Sequence, residues 1–342
     1  MTKKKRRENW AKEFIQSRMR KAGYEIRRYT FVDESHQTDV PLPAGAADYL
    51  RHDNPKLVDL RQRYAASKLP AAVASMWNER HVQKNIDLSY FRGNNAYVWG
   101  YQSETPDVVR MRFFLYTKLI ESIDRLGLLG KLQEDGAFGC WTYQYGQRPK
   151  ISRDLLDSVN ELHFLDRHFK LFTRKDTRVL DIGAGYGRMA HRMLMAVPSV
   201  SHYYCTDAIP ESSFLCDYYL RYRGLEERAQ VVPLDQVQST LQPGMIDLAI
   251  NIHSFSECTR DAIRWWLQQI VRLQIPYLLL LPNDEDRFNS TEVNGKHLPF
   301  LPIMEEMGFR IEAQERVYGD SEYAEFISKN DMIYLFRTPA AR

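Results

Sequence analysis

The 342-residue sequence contains few cysteines and no long apolar run. Cys140, Cys205, Cys216 and Cys258 form no C-x-x-C pair and are not accompanied by histidines at zinc-site spacing. We therefore expect buried thiols of a reducing compartment rather than disulfides. The longest apolar runs, such as residues 276–282, are too short to span a bilayer, and no apolar signal segment follows the basic start of the sequence. These absences predict a cytoplasmic protein without a membrane partner.

Net charge is also small, because 47 Lys and Arg residues oppose 44 Asp and Glu residues. The positive charge is concentrated in residues 1–28, which hold 11 basic and 3 acidic residues. The run 3–7, KKKRR, would suit a nuclear-import or nucleic-acid patch. A solvated tail is the simpler interpretation, since no basic stripe interleaved with aromatic residues follows it. We therefore predict no nucleic-acid partner.

Three glycines are concentrated in residues 178–192, RVLDIGAGYGRMAHR. An apolar strand is followed by Gly183, Gly185 and Gly187 and then by the first turn of a helix, and Asp181 stands two residues before the first glycine. Glycine is used where the backbone takes positive φ or approaches another group closely. Such a turn gathers backbone N–H groups and the positive end of a helix. In an open α/β sheet, ligands bind at this end of the strands.

The glycine spacing argues against a dinucleotide site. A G-x-G-x-x-G fingerprint needs its third glycine at position 188, which is Arg188. The pattern is instead D-x-G-x-G-x-G, with Asp181 inside the strand end. It resembles the first motif of class I S-adenosylmethionine (SAM) dependent methyltransferases, in which a carboxylate suits a ligand with an amino group and a sulfonium. A glycine-rich turn of another doubly wound domain is the alternative.

Two further acids end predicted strands beyond the glycine turn. Asp207 ends the predicted strand 201–207, where a carboxylate hydrogen-bonds the ribose hydroxyls in nucleotide-type sites. The alternative is an Asp that caps the helix beginning near Pro210. Asp235 ends the predicted strand 230–235. In methyltransferases the residue at this position often accepts from the adenine amino group, although an Asp that forms a turn is common.

The apolar segment 245–251 predicts a fourth, central strand, which ends at Asn251 and opens into residues 252–258. We assign Asn251 to the cofactor site. In such a fold this strand end lies beside the methyl donor, so His253 and Glu257 are the candidates for the chemistry. His253 is the predicted general base, because an unshifted imidazole titrates near neutral pH; a loop-shaping histidine is the alternative. Glu257 would orient that imidazole, bind an acceptor hydroxyl or merely cap the next helix.

The order of predicted elements indicates the fold class. Residues 151–342 contain seven strand candidates, and the last two have no helix between them, which suits an antiparallel final pair. We expect an α/β fold of the class I SAM-methyltransferase type, a Rossmann-like, seven-stranded sheet with an antiparallel last strand. Residues 1–150 are predicted to form a mostly α-helical accessory region on the substrate side. It would include helices over residues 8–21 and 107–125 and one that begins at Pro55.

Further stretches resemble the sugar O-methyltransferases of bacterial polysaccharide and natural-product gene clusters. The resemblance covers roughly residues 130–337 and is weak over residues 1–100. It implies SAM as the cofactor and, as the partner, a small-molecule or saccharide acceptor with a hydroxyl group. The stretches that carry it, besides Val179–Arg188, are Glu134–Cys140, Leu155–Glu161, Asp207–Pro210, Asn251–Glu257, Leu281–Asn283 and Phe300–Phe309.

Two segments are candidates for the acceptor side. The predicted polar loop 282–298 holds Asp284, Asp286 and His297. Some sugar methyltransferases use Mg²⁺ held by carboxylates, but no spacing here demands a metal, so no metal site is assigned. The aromatic, glycine-flanked segment 136–146 is interpreted either as a packed short hairpin or as part of a lid.

Other functions remain open at this stage. The chain could methylate a phenol, an amine or a carboxylate instead of a sugar. It could also be a non-catalytic SAM-fold subunit that assists another methyltransferase. An NAD-type oxidoreductase is disfavoured by Arg188. The sequence decides neither the acceptor nor whether the chain forms a homo-oligomer.

Overall fold

The computed structural model describes most of the chain after residue 40. Contacts between Cα atoms divide the chain into two compact units, residues 1–33 and residues 34–342. In the first unit, Ile15, residues 17–19 and Lys21 are helical. The basic run 3–7, most of the predicted helix 8–21, Asp284 and Asp286 lie outside the described residues. Described are residues 15, 17–19, 21–23, 40–93, 95, 101, 106–283, 288–319, 322, 324–327 and 331–341.

The α-helices of the described residues begin before the sheet and then alternate with its strands. Among the described residues between 40 and 150, the regular elements are helical, in agreement with the helical character predicted there. Short 3₁₀ turns occur at Pro70–Ala72, Ala137–Gly139, Leu234–Gln236 and Ser254–Glu257. The helices are α1 (Ala46–Tyr49), α2 (Pro55–Ala66), α3 (Glu79–Asn85), α4 (Pro106–Ile123), α5 (Leu128–Lys131), α6 (Arg153–Phe169), α7 (Arg188–Ala196), α8 (Pro210–Tyr222), α9 (Val237–Thr240), α10 (Arg260–Arg272), α11 (Leu301–Glu306) and α12 (Ala324–Ile327).

Seven strands form one mixed sheet in the order β3-β2-β1-β4-β5-β9-β8. The strands β1 to β5 pair in parallel, whereas β9 runs antiparallel to both β5 and β8. This order, with one reversed strand, confirms the predicted class I SAM-methyltransferase fold. The strands are β1 (Thr177–Ile182), β2 (Val200–Thr206), β3 (Ala229–Val231), β4 (Leu248–Ile252), β5 (Tyr277–Leu281), β6 (Asn289–Thr291), β7 (His297–Pro299), β8 (Arg310–Arg316) and β9 (Met332–Arg337).

Local capping chemistry explains where several helices begin. The Asn54 side chain accepts a hydrogen bond from the first turn of α2, and Pro55 occupies the first helical position. The Ser152 side chain likewise accepts a hydrogen bond from the first turn of α6. Thr259 caps α10 through its hydroxyl. The helix starts predicted at Pro55 and after Ser152 are thus confirmed, because a short polar side chain satisfies N–H groups that have no partner within the helix.

Alternate strand residues pack on opposite faces of the sheet, as the two-residue period of a strand requires. Val179 and Ile250 belong to a core formed with α4, α6 and α7. Leu180 and Ala249 belong to a second core formed with α2, α8 and α10. Helix α2 is therefore part of the same compact unit as the sheet.

Among the described helices, none combines the length and the apolar character needed to cross a bilayer.

The structure corrects three predicted elements. The predicted strand 230–235 ends at Val231, because Pro233 has no N–H for a ladder bond and leads into the 3₁₀ turn Leu234–Gln236. The predicted loop 282–298 contains β6 and the first two residues of β7, which pair in antiparallel fashion. Segment 136–146 is not a hairpin: it contains a 3₁₀ turn, and Tyr143 pairs with Ile151 beyond the segment.

Candidate active site

A cavity of about 480 Å³ lies at the carboxyl ends of β1, β2 and β4. The parallel register brings these ends together, since Asp181 lies opposite Cys205 on β2 and Ile250 on β4. Most of the predicted site residues line this cavity, whereas Gly187, Asp235 and Asn251 do not. Those that line it are Asp181, Gly183, Gly185, Asp207, His253 and Glu257.

The three glycines of the turn between β1 and α7 all have positive φ, for different reasons. At Gly183 (φ 80°) a Cβ would lie 2.1 Å from the Ser254 hydroxyl oxygen. At Gly185 (φ 57°) the space is open, and the N–H donates to Asp207 Oδ2 at 2.9 Å. Gly187 (φ 87°) is the N-cap of α7. The turn therefore exposes backbone to the cavity at two positions and begins a helix at the third.

Asp207 connects the glycine turn to the start of α8. Its Oδ2 accepts from Gly185 N–H and its Oδ1 accepts from Ile209 N–H, both at 2.9 Å. Burial raises the pKa of this carboxyl to about 7, against the opposing effect of these hydrogen bonds. A carboxylate offers about four acceptor sites, so capacity for ribose hydroxyls remains. The side chain thus shapes a turn before α8 and also faces the cavity.

Asp181 is 3% exposed at the end of β1, and its Oδ2 accepts from the Tyr203 hydroxyl at 2.9 Å. Burial raises its pKa to about 7, while the Tyr203 hydrogen bond and the nearby Arg188 guanidinium act in the opposite direction. Arg188 is itself paired with Glu161, at 2.8 Å. A cationic ligand in the cavity would favour the ionised form of Asp181.

Asn251 and Asp235 are engaged away from the cavity. The fully buried Asn251 donates through Nδ2 to the Ile182 carbonyl at 2.8 Å, and its Oδ1 accepts from Phe255 N–H at 3.1 Å. This side chain holds the turn after β4 against the end of β1. The Asp235 carboxylate accepts three hydrogen bonds from the Arg63 guanidinium on α2, at 2.8 to 3.0 Å. A direct cofactor contact by either side chain stays a prediction.

His253 lines the cavity immediately after β4, and its backbone has φ 68° and ψ −33°. The N–H donates to the Leu281 carbonyl at 2.7 Å, and the carbonyl accepts from Ser256 N–H at 3.0 Å. A left-handed backbone costs a residue other than glycine about 1 kcal/mol or more, and such strain is concentrated at functional sites. The fold therefore holds His253 in an unfavourable backbone conformation at the cavity wall.

Glu257 is fixed by two distant side chains. Its Oε2 accepts from Trp77 Nε1 at 2.7 Å, and its Oε1 accepts from Asn283 Nδ2 at 2.9 Å. Burial raises the pKa of the Glu257 carboxyl. The helix-capping interpretation is wrong, because Thr259 caps α10. Glu257 instead connects the turn after β4 to the segment before α3 and to the end of β5.

A buried cluster of ion pairs supports the glycine turn and was not predicted. Arg92 and Arg192, each 1% exposed, both donate to Glu134 and to Asp154 at distances of 2.6 to 3.3 Å. The Tyr186 hydroxyl, between the second and third glycines, donates to Asp154 at 2.9 Å. No sequence signal indicates the cluster, since its members come from four separate segments.

The two acids of this cluster, together with a cysteine, are also candidates for metal ligands. Glu134, Cys140 and Asp154 place potential ligand atoms within 4.8 Å of one another. Two guanidinium groups already donate to both carboxylates. The arrangement is therefore that of a buried network of charge-assisted hydrogen bonds, which fixes α6 and α7 next to the glycine turn.

Comparisons with known proteins give distant structural similarities alone. No protein-family model matches the chain, and no curated protein matches it. The solved structures it resembles include the [4+2]-cyclase SpnF, which is 17% identical over 68% of this chain and 96% of SpnF with a TM-score of 0.41. The mitomycin 7-O-methyltransferase MmcR is 16% identical over 85% of this chain and 75% of MmcR with a TM-score of 0.40. A SAM-dependent methyltransferase from Aquifex aeolicus is 15% identical over 53% of this chain and 97% of its own, with a TM-score of 0.36.

The strand order and the position of the cavity define the class of protein. The chain has the class I SAM-dependent methyltransferase fold, and its cavity lies at the sheet edge where this fold binds ligands. S-adenosylmethionine is the cofactor expected of this fold.

Proposed function

We propose that this chain is a SAM-dependent methyltransferase that methylates a hydroxyl oxygen of a small molecule. One observation supports this proposal above the others: Asp181, Asp207 and the glycine turn line the same cavity as His253. The residues that line the cavity fit SAM, because buried carboxylates suit an amino group, a sulfonium and ribose hydroxyls. The open space next to Gly185, which a Cβ would enter, allows the close approach of a ligand to backbone.

The roles of the residues follow from their positions. SAM, when bound, supplies an electrophilic methyl group on a good leaving group. Asp207 would accept hydrogen bonds from ribose hydroxyls, and Asp181 would face the cationic end. His253 would take the proton of the acceptor hydroxyl on an imidazole nitrogen, which assists a poor nucleophile. Glu257, already held by Trp77 and Asn283, would accept a hydrogen bond from the acceptor.

The acceptor is proposed as a chemical class and not as a particular molecule. The sequence resemblance favours a sugar or a sugar-bearing metabolite, and polar side chains such as Asn85, Asn95 and Asn283 line the cavity. Much of the catalytic gain in such a transfer comes from positioning two reactants, so the cavity wall decides the acceptor. Methylation assays against matched panels of sugars and phenols would separate these acceptor classes.

Cofactor binding is the first test of the proposal. Calorimetry of the intact chain is expected to show binding of SAM and of S-adenosylhomocysteine (SAH), and Asp207→Ala is expected to weaken both. NAD serves as the control ligand and is expected not to bind. If neither SAM nor SAH binds the folded wild-type chain, the proposed function is wrong.

The assignment of the base has a separate test. We expect His253→Ala to lower kcat about 10²- to 10⁴-fold, the usual contribution of a positioned general base, while SAH affinity changes little. The rate loss should be smaller at high pH, where the acceptor hydroxyl ionises more readily. Near-full turnover by His253→Ala with saturating acceptor would remove His253 from this role.

A further inference from the structure

A second cluster of side chains lines the cavity, away from the predicted cofactor residues. Arg153, the first residue of α6, is held by Asp157, because its Nε lies 2.7 Å from each carboxylate oxygen. Its Nη1 donates to the Tyr101 hydroxyl, and its Nη2 donates to the Tyr318 hydroxyl at 2.6 Å. The Tyr116 hydroxyl donates to Asp157 at 2.6 Å.

Three aromatic rings surround the guanidinium group and fix its orientation. Its central carbon lies 5.8 Å from the ring centre of Tyr101, 5.4 Å from that of Tyr116 and 6.0 Å from that of Tyr318. The Arg153 side chain is nevertheless 16% exposed, and it lines the cavity together with Tyr101 and Tyr318. A guanidinium already ordered in this way loses little conformational entropy when it binds a ligand.

Hydrogen-bond donors are in excess in this cluster. A guanidinium has five N–H groups, and the hydrogen bonds of Arg153 to described residues use Nε and one N–H on each terminal nitrogen. One N–H on each of Nη1 and Nη2 therefore has no acceptor within the described part of the chain. The Tyr101 hydroxyl accepts from Arg153, and its own hydrogen likewise meets no acceptor among the described residues. Within the described part of the chain, three donors are thus available to a ligand.

Among the residues that the structure describes, the charges of this wall are balanced before a ligand enters. Arg112 and Asp331 also line the cavity. The two positive charges of Arg112 and Arg153 are therefore matched by the two negative charges of Asp157 and Asp331. A balanced site with surplus donors suits a group that only accepts hydrogen bonds. The planar fork of a guanidinium matches a carboxylate in two parallel hydrogen bonds.

We propose that Arg153, Tyr101 and Tyr318 form a subsite for a carboxylate of the acceptor molecule. The subsite rests on the proposed methyltransferase function and narrows its acceptor to a hydroxylated acid, such as a uronic acid or a hydroxybenzoic acid. The carboxylate would be bound at this wall, and a hydroxyl elsewhere on the same molecule would be methylated.

Matched probes test the subsite on the full-length chain saturated with SAH. Calorimetry would compare glucuronate with glucose and 4-hydroxybenzoate with 4-hydroxybenzyl alcohol. We expect at least one acid to bind about tenfold or more tightly than its neutral counterpart, in line with two charge-assisted hydrogen bonds. Equal binding within both pairs, or no binding of either acid, would overturn the subsite. Tighter binding of glucose 6-phosphate than of glucuronate would overturn the carboxylate assignment.

Two variants locate the effect at this wall. Tyr101→Phe keeps the ring and removes one donor, and Arg153→Lys keeps the charge and removes the fork. Both are expected to reduce the preference for the acid about tenfold while SAH affinity stays unchanged. Tyr277→Phe is the matched control, because Tyr277 lies at the amino end of β5 and does not line the cavity. An unchanged preference in Tyr101→Phe would contradict the subsite even if Arg153→Lys failed to fold. Failure of SAH binding in the wild type would instead refute the proposed function itself.

Discussion

The two glycines that line the cavity differ in what a side chain would meet there. At Gly183 an added Cβ would clash with the Ser254 hydroxyl, which is itself hydrogen-bonded to Asn251. At Gly185 an added Cβ would enter open space, so only the positive φ opposes it. The same turn therefore demands glycine for close approach at one position and for backbone conformation at the other.

This difference predicts unequal costs for two matched substitutions. Gly185→Ala is expected to lower the free energy of unfolding by about 1–2 kcal/mol, the cost of a left-handed alanine. Gly183→Ala is expected to cost more and to abolish SAH binding, because the clash displaces the turn after β4. Urea unfolding and calorimetry on both variants would measure this. Equal losses in the two variants would contradict the steric argument.

Asp181 and Asp207 make stability and cofactor binding depend on pH in opposite ways. Burial raises the pKa of each carboxyl to about 7, against about 3.9 for an unfolded Asp. The folded chain without ligand therefore binds more protons than the unfolded chain between these values. Its free energy of unfolding should be highest below about pH 4, as far as these two groups contribute, and should fall as pH rises through 7.

A cationic cofactor reverses this preference, because it favours the ionised carboxylates. SAM binding is therefore expected to release protons near neutral pH and to tighten between pH 6 and pH 8, by up to about tenfold per unit for each group that must ionise. Calorimetry in buffers of different ionisation enthalpy would count the protons. Asp181→Asn and Asp207→Asn should each reduce the pH dependence, and a pH-independent dissociation constant in the wild type would refute the argument.

At the scale of elements, helix α2 acts as a clamp over α8 and the turn after β3. The buried Tyr64 hydroxyl accepts from Leu234 N–H at 2.9 Å and lies 3.0 Å from the Ser213 hydroxyl. Arg61 pairs with Glu211 at 2.8 Å. These contacts join α2 to α8, which follows Asp207 in the chain, and to the turn that follows β3. The clamp explains why Asp235, paired with Arg63, lies away from the cavity.

The clamp predicts that one hydroxyl group matters more than an exposed ion pair. Tyr64→Phe leaves a buried N–H without its acceptor and is expected to cost about 1–3 kcal/mol of unfolding free energy. Lys56→Ala removes an exposed pair with Asp217 and should cost less than about 1 kcal/mol. Chemical denaturation of both variants measures the difference. A larger loss in Lys56→Ala would show that α2 is held by its surface charges instead.

At the scale of the whole molecule, the buried ion cluster joins four segments of the chain. Arg92, Glu134, Asp154 and Arg192 lie on α6, on α7 and on two loops that precede the sheet. Arg92 and Arg192 together hold the pKa of the Asp154 carboxyl well below its usual range, although burial acts in the opposite direction. Removal of one partner would leave a buried charge without compensation.

Arg92→Met is therefore expected to lower the free energy of unfolding by about 3–5 kcal/mol. Because Tyr186 donates to the same Asp154 carboxylate, SAH affinity should also fall. Arg51→Ala is the control, since its ion pair with Asp53 is exposed and should contribute less than about 1 kcal/mol. Equilibrium unfolding with and without SAH measures both effects. A cost no larger than that of Arg51→Ala would show that the buried ion cluster does not stabilise the fold.

The order of the seven sheet strands along the chain, the helix starts at Pro55 and after Ser152, and the glycine turn were accessible from the amino-acid sequence. Each depends on interactions within a few residues: a cap such as Ser152, the apolar pattern of β5, or the backbone freedom of Gly183. The position of Asp207 at a strand end followed from the same local pattern. Local chemistry therefore determined the fold class and most of the cavity floor.

Only the tertiary structure decided which polar groups act together. Asp235 pairs with Arg63 from 172 residues away, Glu257 with Trp77 from 180 residues away, and Asp154 with Arg92 from 62 residues away. Such partners meet only when distant segments of the chain fold against each other, and no sequence spacing records which segments come together. The sequence by itself determined the frame that presents a ligand site, and long-range packing decided how the charges around that site are distributed.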